Sequence, residues 1–203
     1  MCIRDRVDID FTKTFNKIVF PINTQVNFSA MSLDAPIYDV KESPKFILLS
    51  SLMRNEFLHK RVREQGGAYG GGASYDPFSG TFKFFSYRDP RCGDTFNDFK
   101  KSRNWSLKNI TQAQLDEGIL GVVSSIDKPL SPSGEAANDF SNNMDNRDQT
   151  KRLKFRSNVK ECSVDDLVRV SSKYLFNESK KSLIAGESYN EEIKSLGFKI
   201  KNI

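Results

Sequence analysis

Arginine, tyrosine and glycine are concentrated in one ten-residue segment, Arg63–Gly72, which reads REQGGAYGGG. The guanidinium of Arg63 is permanently charged and presents a planar set of donors. The hydroxyl of Tyr69 can donate a hydrogen bond to an oxygen that becomes negative during a reaction. The five glycines of the segment allow another backbone to approach closely. This combination favours a site that grips a peptide, with Arg63 and Tyr69 as candidate catalytic residues.

Each of these features also has a purely structural interpretation. Arg63 follows a helical pattern and would interact favourably with the negative end of a helix dipole. Tyr69 could be a tyrosine at the edge of the core with a hydrated hydroxyl. The glycine run could be a flexible turn, but it fits no G-x-G-x-x-G spacing and no Gly-Lys-Ser/Thr follows it. A phosphate-binding loop is therefore not indicated.

The chain does not supply a histidine-based metal centre by itself, because His59 is its only histidine. His59 has no Glu-His neighbour at metal-binding spacing, which predicts a partly exposed helix residue and no metal ligand. The carboxylate pairs Asp116–Glu117 and Asp165–Asp166 fall early in predicted helices, where acids stabilise the helix dipole. We therefore predict no metal site in these 203 residues.

Composition limits the classes of partner. The net charge is +5 with a pI near 9.0, and the charges are interleaved except at Lys100, Lys101 and Arg103. Such a diffuse charge is typical of a solvated surface and not of a nucleic-acid footprint. The sequence has neither an 18-residue apolar run nor a secretion signal, so no membrane partner is expected. The three cysteines are widely spaced and predict free thiols in a reducing compartment.

The periodicities predict an α+β fold: a mixed, mainly antiparallel sheet of about four strands with helices packed on one face. Residues 1–6 fit no element and are expected to be non-native or unstructured, and 7–203 to form one domain of a larger protein. An amphipathic stretch covers residues 7–20, and a helix-rich half covers about 94–176. Strands are predicted at 23–31, 68–76, 80–87 and 182–186, and helices at 45–63, 94–108, 111–126, 133–143, 149–159 and 163–176, with a further helical turn at 190–196.

Two sequence blocks resemble a known family. They are LHKRVREQGGAYGGGA at Leu58–Ala73 and FSGTFKFFSYRDP at Phe78–Pro90. Together they resemble the last domain of the presequence-protease branch of the pitrilysin (insulinase) zinc metallopeptidases, and the resemblance extends over roughly residues 25–185. In that family the enzyme is similar to a clamshell of two halves, each made of two related α/β domains.

The resemblance implies roles for the candidate residues. It implies that Tyr69 donates to the scissile carbonyl as it becomes tetrahedral, and that Arg63 holds the substrate near the cleaved bond or orients the tyrosine. It also implies that Gly66, Gly67, Gly70 and Gly71 line a wall where an extended peptide binds. The zinc of the family is bound by an inverted His-x-x-Glu-His motif in the first domain, which this chain lacks. We therefore expect zinc in the full-length enzyme, held by an N-terminal domain, and no cofactor in this chain.

Three functions remain open on the sequence. The first is the C-terminal portion of a zinc metalloendopeptidase that degrades short unstructured peptides in a closed chamber, inactive as an isolated fragment. Its partners would be a peptide substrate and the N-terminal half of the same polypeptide. The second is a non-catalytic scaffold or peptide-binding subunit of the same superfamily. The third is a nucleic-acid-binding module, suggested by the aromatic strand at Gly80–Tyr87. The compartment would be cytoplasmic in a bacterium, or a mitochondrial or plastid matrix in a eukaryote.

Overall fold

The computed structural model describes residues 16–186 and 190–201. Six strands and a series of helices follow one another along this part of the chain. They are β1 (Lys17–Pro21), β2 (Asn27–Asp34), α1 (Ser43–Leu52), a π-helical segment (Met53–Glu64), β3 (Gly70–Asp76), β4 (Thr81–Asp89), α2 (Gly93–Lys108), α3 (Gln112–Ile126), α4 (Pro132–Met144), α5 (Gln149–Lys160), α6 (Val164–Tyr174), β5 (Lys180–Ala185), α7 (Asn190–Ser195) and β6 (Lys199–Ile200).

The strands form one mixed sheet in the order β3-β4-β2-β5-β1-β6. Strand β2 pairs antiparallel with β4 and β5, β3 pairs antiparallel with β4, and β1 pairs parallel with β5 and β6. The α+β class and the mixed sheet are confirmed, but the predicted number of about four strands is wrong, because the described sheet has six.

The two missed strands lie at one side of the sheet. The segment of β1 was predicted only as the end of an amphipathic stretch, whose residues 7–15 lie outside the described part of the chain, as does the segment 1–6. Strand β1 has five residues and β6 has two. Segments this short carry little periodic signal. Strand β1 is extended because it pairs with β5, which is more than 160 residues away in sequence, and β6 is extended because it pairs in turn with β1.

The sheet is covered by helices on one face. Along β2 and β4, alternate side chains are buried, including Met31, Phe82 and Phe84. Phe84 and Phe99 of α2 stack with ring centroids 5.7 Å apart. Phe85, next in sequence, points to the opposite face and is half-buried. The Phe84-Phe85 pair therefore reflects burial on both faces of the sheet.

The helix predicted at 45–63 is continuous but changes its hydrogen bonding. It begins at Ser43 as an α-helix and is π-helical from Met53 to Glu64. At its end the N–H of Gln65 donates to the carbonyl of Lys60, five residues earlier, at 2.9 Å. Wider turns of this kind are rare and occur often at functional sites. The strand predicted at 23–31 is β2, which begins and ends a few residues later, at Asn27–Asp34.

The helices of the second half follow their local start signals. Thr111 and Gln114 form a reciprocal capping box at α3, and Ser163 and Asp166 form another at α6. Both caps satisfy backbone N–H groups that would otherwise lack partners. Helix α4 is mostly exposed and buries Asn142 alone. Within residues 16–186 and 190–201, no helix combines the length and apolar character needed to cross a bilayer.

Candidate functional site

The segment that carries the candidate residues is the turn between the π-helical segment and β3. The N–H of Gly67 donates to the carbonyl of Arg63 at 3.0 Å, and the N–H of Ala68 donates to the carbonyl of Val62 at 3.2 Å. Gly67 has φ +78°, a left-handed conformation that glycine adopts without steric cost. The helix therefore ends where the sequence predicted, and the chain turns directly into the edge strand β3.

Arg63 is exposed on the last turn of the π-helical segment. Its Nη1 lies 3.2 Å from Nε2 of His59, and Nδ1 of His59 lies 3.3 Å from Oε1 of Glu64. His59 is thus a half-exposed helix residue, as predicted, and it links the arginine to a carboxylate. These contacts hold the Arg63 guanidinium against its own helix, with the charged group accessible to a ligand.

Tyr69 leaves the turn towards solvent and is 64% exposed. Its backbone N–H donates to the carbonyl of Arg88 at 3.2 Å, which ties the start of β3 to the end of β4. The tyrosine ring contacts two side chains of β4. The Tyr87 ring is 5.6 Å away between centroids, and the Arg88 guanidinium carbon lies 5.6 Å from the Tyr69 centroid.

Three of the four candidate glycines are packed against side chains of this chain. A Cβ atom at Gly66 would lie 2.1 Å from Nη2 of Arg91, one at Gly70 would lie 2.5 Å from the Tyr87 ring, and one at Gly71 would lie 2.7 Å from Cγ1 of Val62. Gly67 is exposed. The space that these three glycines leave open is therefore occupied by side chains of the protein itself, and these side chains fix the shape of the turn.

A buried ion-pair network lies beneath the turn, and it was not predicted from the sequence. Arg91 donates through Nη1 to Oδ2 of Asp98 at 2.9 Å and through Nε to Oδ1 of Asp89 at 3.2 Å. The hydroxyl of Thr95 donates to Oδ2 of Asp89 at 2.6 Å. Burial opposes the charge on Arg91, but the hydrogen bonds to Asp98 and Asp89 outweigh it and raise the arginine pKa. The only sequence signal is that Asp89, Arg91 and Asp98 lie within ten residues of one another, a pattern that is also common on solvated surfaces.

The residues of this site do not fit a zinc ion. In the described part of the chain, no group of three or more His, Cys, Asp or Glu side chains is placed to hold a metal. His59 has Glu64 as an acidic neighbour, but two side chains of this kind do not complete the ligand set of zinc.

The two described thiols are buried and free. Burial, together with the charges of Glu192 and Asp89, raises the pKa of Cys92 to about 12. Burial and the charge of Asp166 raise the pKa of Cys162 to about 12 as well. Neither thiol has the low pKa that a nucleophilic cysteine requires.

Comparison with known proteins identifies the family. Residues 17–185 match the family model described as "PreP C-terminal domain". The mitochondrial presequence protease of Saccharomyces cerevisiae is 33% identical over 188 residues, covering 92% of this chain and 18% of the relative. That of Xenopus tropicalis is 35% identical over 160 residues, covering 78% of this chain and 15% of the relative. The chain thus spans less than a fifth of the length of these two relatives.

Solved structures show the same fold. A protease from Helicobacter pylori superposes with a TM-score of 0.73 at 17% identity, over 83% of this chain and 44% of that one. Pitrilysin superposes with a TM-score of 0.62 at 13% identity, over 92% of this chain and 22% of that one. The match to the family model, the identity to the two proteases and the shared fold agree with the resemblance seen in the two sequence blocks. The chain belongs to the family of PreP C-terminal domains.

Proposed function

We propose that this chain is the C-terminal portion of a zinc metalloendopeptidase that degrades short unstructured peptides, and that its turn at 63–72 contacts the substrate. The observation that carries the proposal is the exposed Tyr69, which stands on a hydrogen-bonded turn and contacts an aromatic ring and a guanidinium. An exposed phenol held in this way is suited to donate to a substrate oxygen. The names of the relatives support peptide hydrolysis by the complete protein.

In this proposal, Tyr69 and Arg63 act on the peptide group that is cleaved. The hydroxyl of Tyr69 donates to the scissile carbonyl oxygen, and this bond strengthens as the oxygen becomes negative in the tetrahedral state. Arg63 holds the peptide near the cleaved bond through carbonyl contacts, for which its planar donors are suited. Both groups sit on backbone that is already ordered, so little conformational entropy is lost at the moment of reaction.

The glycine backbone is proposed to form the wall beside the peptide. Gly70 and Gly71 lie in β3, which is an edge strand of the sheet. Gly66 and Gly67 form the turn that precedes it. An extended peptide recognises such a surface through main-chain hydrogen bonds. Gly67 is the exposed member of the four and is the one that we propose contacts the peptide most directly.

The zinc is proposed to be held by the N-terminal half of the same polypeptide, which is also the proposed main partner of this chain. The described residues do not form a zinc site, and the chain matches only 18% of the length of the Saccharomyces cerevisiae relative. We propose in consequence that the isolated chain is inactive. The relatives are named as mitochondrial, which favours a mitochondrial matrix over a bacterial cytoplasm.

The test removes the Tyr69 hydroxyl from the full-length protein. We expect Tyr69→Phe to lower kcat for a fluorogenic peptide by roughly 10²–10³-fold, as loss of one oxyanion donor does. The KM should change little. Tyr38→Phe is the matched control, because Tyr38 contacts Pro77 at the far end of the β3–β4 hairpin. We expect its kcat to stay within about twofold of wild type, since this ring stacks on Phe155 and surface changes away from a site have small effects.

Arg63→Ala is expected to raise KM more than it lowers kcat, because the arginine holds the substrate. A Tyr69→Phe protein that keeps full activity and a wild-type unfolding midpoint would overturn the catalytic proposal. A full-length polypeptide that binds peptides but contains no zinc motif would instead support the non-catalytic, peptide-binding alternative.

A further inference from the structure

The pairing of β4 with β2 contains an irregularity next to the candidate site. Ser29 pairs with Ser86, whereas Asn27 pairs with Asp89. One residue of β2, Phe28, therefore lies opposite two residues of β4, Tyr87 and Arg88. This two-against-one arrangement is a β-bulge. Bulges bend a strand, occur often beside active sites and redirect side chains.

Arg88 takes the strained position of this bulge. Its φ is +48°, and among the described residues the only other non-glycine residue with positive φ is Asn146. Glycine adopts this conformation without steric cost, and asparagine tolerates it better than arginine does. A bulge that served only to bend the strand would be more stable with glycine. The strain at Arg88 therefore points to a role for its side chain.

The bulge inverts the alternation of β4. Phe84 and Ser86 are buried on the helix-covered face, and regular alternation would place Arg88 on that same face. Instead Asp89 is buried and both Tyr87 and Arg88 are exposed. The extra residue thus releases the Arg88 side chain from the core side and allows it to reach the turn.

Arg88 and Tyr69 are linked through both backbone and side chain. The carbonyl of Arg88 accepts from the N–H of Tyr69 at 3.2 Å, and the Arg88 guanidinium carbon lies 5.6 Å from the Tyr69 centroid. The Tyr87 ring also packs against the Tyr69 ring, with an angle of 56° between the two ring planes. Gly70 makes room for that ring, because a side chain there would collide with it. An exposed tyrosine is thereby restrained by two neighbours.

We propose that Arg88 is a positioning residue that orients the Tyr69 ring and its hydroxyl. This inference rests on the proposed function, in which the Tyr69 hydroxyl donates to the substrate oxygen. A cation over an aromatic face is attracted by the ring quadrupole, so Arg88 restricts the rotation of the exposed ring. The hydroxyl is then oriented before the transition state forms.

The test is a double-mutant cycle in the full-length peptidase. Arg88→Asn removes the guanidinium but keeps a residue that tolerates positive φ. We expect it to lower kcat by roughly two- to fivefold with little change in KM, in line with the strength of cation–π contacts at exposed sites. Arg88→Lys keeps a cation and should recover part of the loss. In the Tyr69→Phe background the ring remains but the hydroxyl is absent, so Arg88→Asn should leave kcat unchanged there.

Arg88→Gly is the control for a folding defect, because glycine adopts the positive φ of this position without strain. Its unfolding midpoint should equal or exceed that of wild type, while its kcat should fall as in Arg88→Asn. An equal loss from Arg88→Asn in both backgrounds would show that Arg88 acts independently of the tyrosine hydroxyl, and the inference would be wrong. If Tyr69→Phe is impaired and Arg88→Asn is not, the inference fails and the proposed function stands. If Tyr69→Phe is fully active, both fail.

Discussion

The guanidinium of Arg91 packs against the backbone of Gly66 so closely that a Cβ atom at Gly66 would lie 2.1 Å from its Nη2. The same guanidinium donates to Asp98 and Asp89, whose side chains are almost fully buried. The turn that carries Arg63 and Tyr69 is therefore supported from beneath by an ion-pair network attached to α2. This support explains how a glycine-rich segment can hold two exposed side chains in fixed positions.

The first prediction concerns the contact between Gly66 and Arg91. Gly66→Ala places a methyl group against the guanidinium and also within 2.6 Å of the Val62 carbonyl oxygen. Overpacking of this kind costs about 1–3 kcal/mol, and displacement of Arg91 would weaken its bonds to Asp98. We expect the free energy of unfolding to fall by that amount in urea titrations followed by circular dichroism.

The second prediction is the matched control for the first. Gly121 lies within α3, and a Cβ atom there meets no heavy atom within 4 Å. Alanine is preferred to glycine inside a helix by about 0.5–1 kcal/mol. Gly121→Ala should therefore raise the free energy of unfolding by about that amount. If both alanine variants changed stability in the same direction, close packing at Gly66 would not be the cause.

The third prediction concerns the stability of the hairpin turn in acid. The pKa of Asp76 is well below its ordinary value, because the Ser79 hydroxyl, the Lys83 ammonium and the Phe78 N–H all donate to its carboxylate. A carboxyl group with a depressed pKa in the folded state binds protons more readily when unfolded. Its stabilisation is thus complete above the unfolded pKa near 3.8 and is lost progressively as the pH falls below it.

We expect the unfolding midpoint of wild type to fall more steeply than that of Asp76→Asn between pH 5 and pH 2. Ser79→Ala removes the strongest donor, so the acid-induced loss attributable to Asp76 should become smaller. The measurement is the midpoint of thermal unfolding at each pH. Parallel pH profiles for wild type and Asp76→Asn would contradict the assignment.

The fourth prediction concerns the reactivity of the cysteines. With a pKa of about 12 at both Cys92 and Cys162, very little thiolate is present at pH 8, and the thiolate is the reactive species. In a Cys2→Ser background, we expect a thiol reagent to react with neither residue in the native protein on a timescale of minutes. Two equivalents should react after unfolding in urea. Rapid reaction of either thiol in the native protein would disprove its burial.

The sequence alone determined features that depend on neighbouring residues. The capping boxes at Thr111 and Ser163 follow from side chains three residues apart, and the turn at Asp76–Gly80 follows from its local composition. The end of the helix predicted at 45–63 also follows from local sequence, because the glycines just after it favour a left-handed cap, which Gly67 forms. The two sequence blocks, each contiguous in the chain, likewise indicated the family.

Only the tertiary structure decided the features that join distant segments. Strand β1 is extended because it pairs with β5, where Val19 lies opposite Leu183. A segment of five residues carries no sequence signal that identifies so distant a pairing partner. The bulge depends on how Asn27 and Ser29 align with β4. The placement of Arg88 over Tyr69 follows from that alignment, because one extra residue in a strand moves a side chain to the opposite face. The types of the site residues were thus readable in the sequence, whereas their orientation was set by strand register.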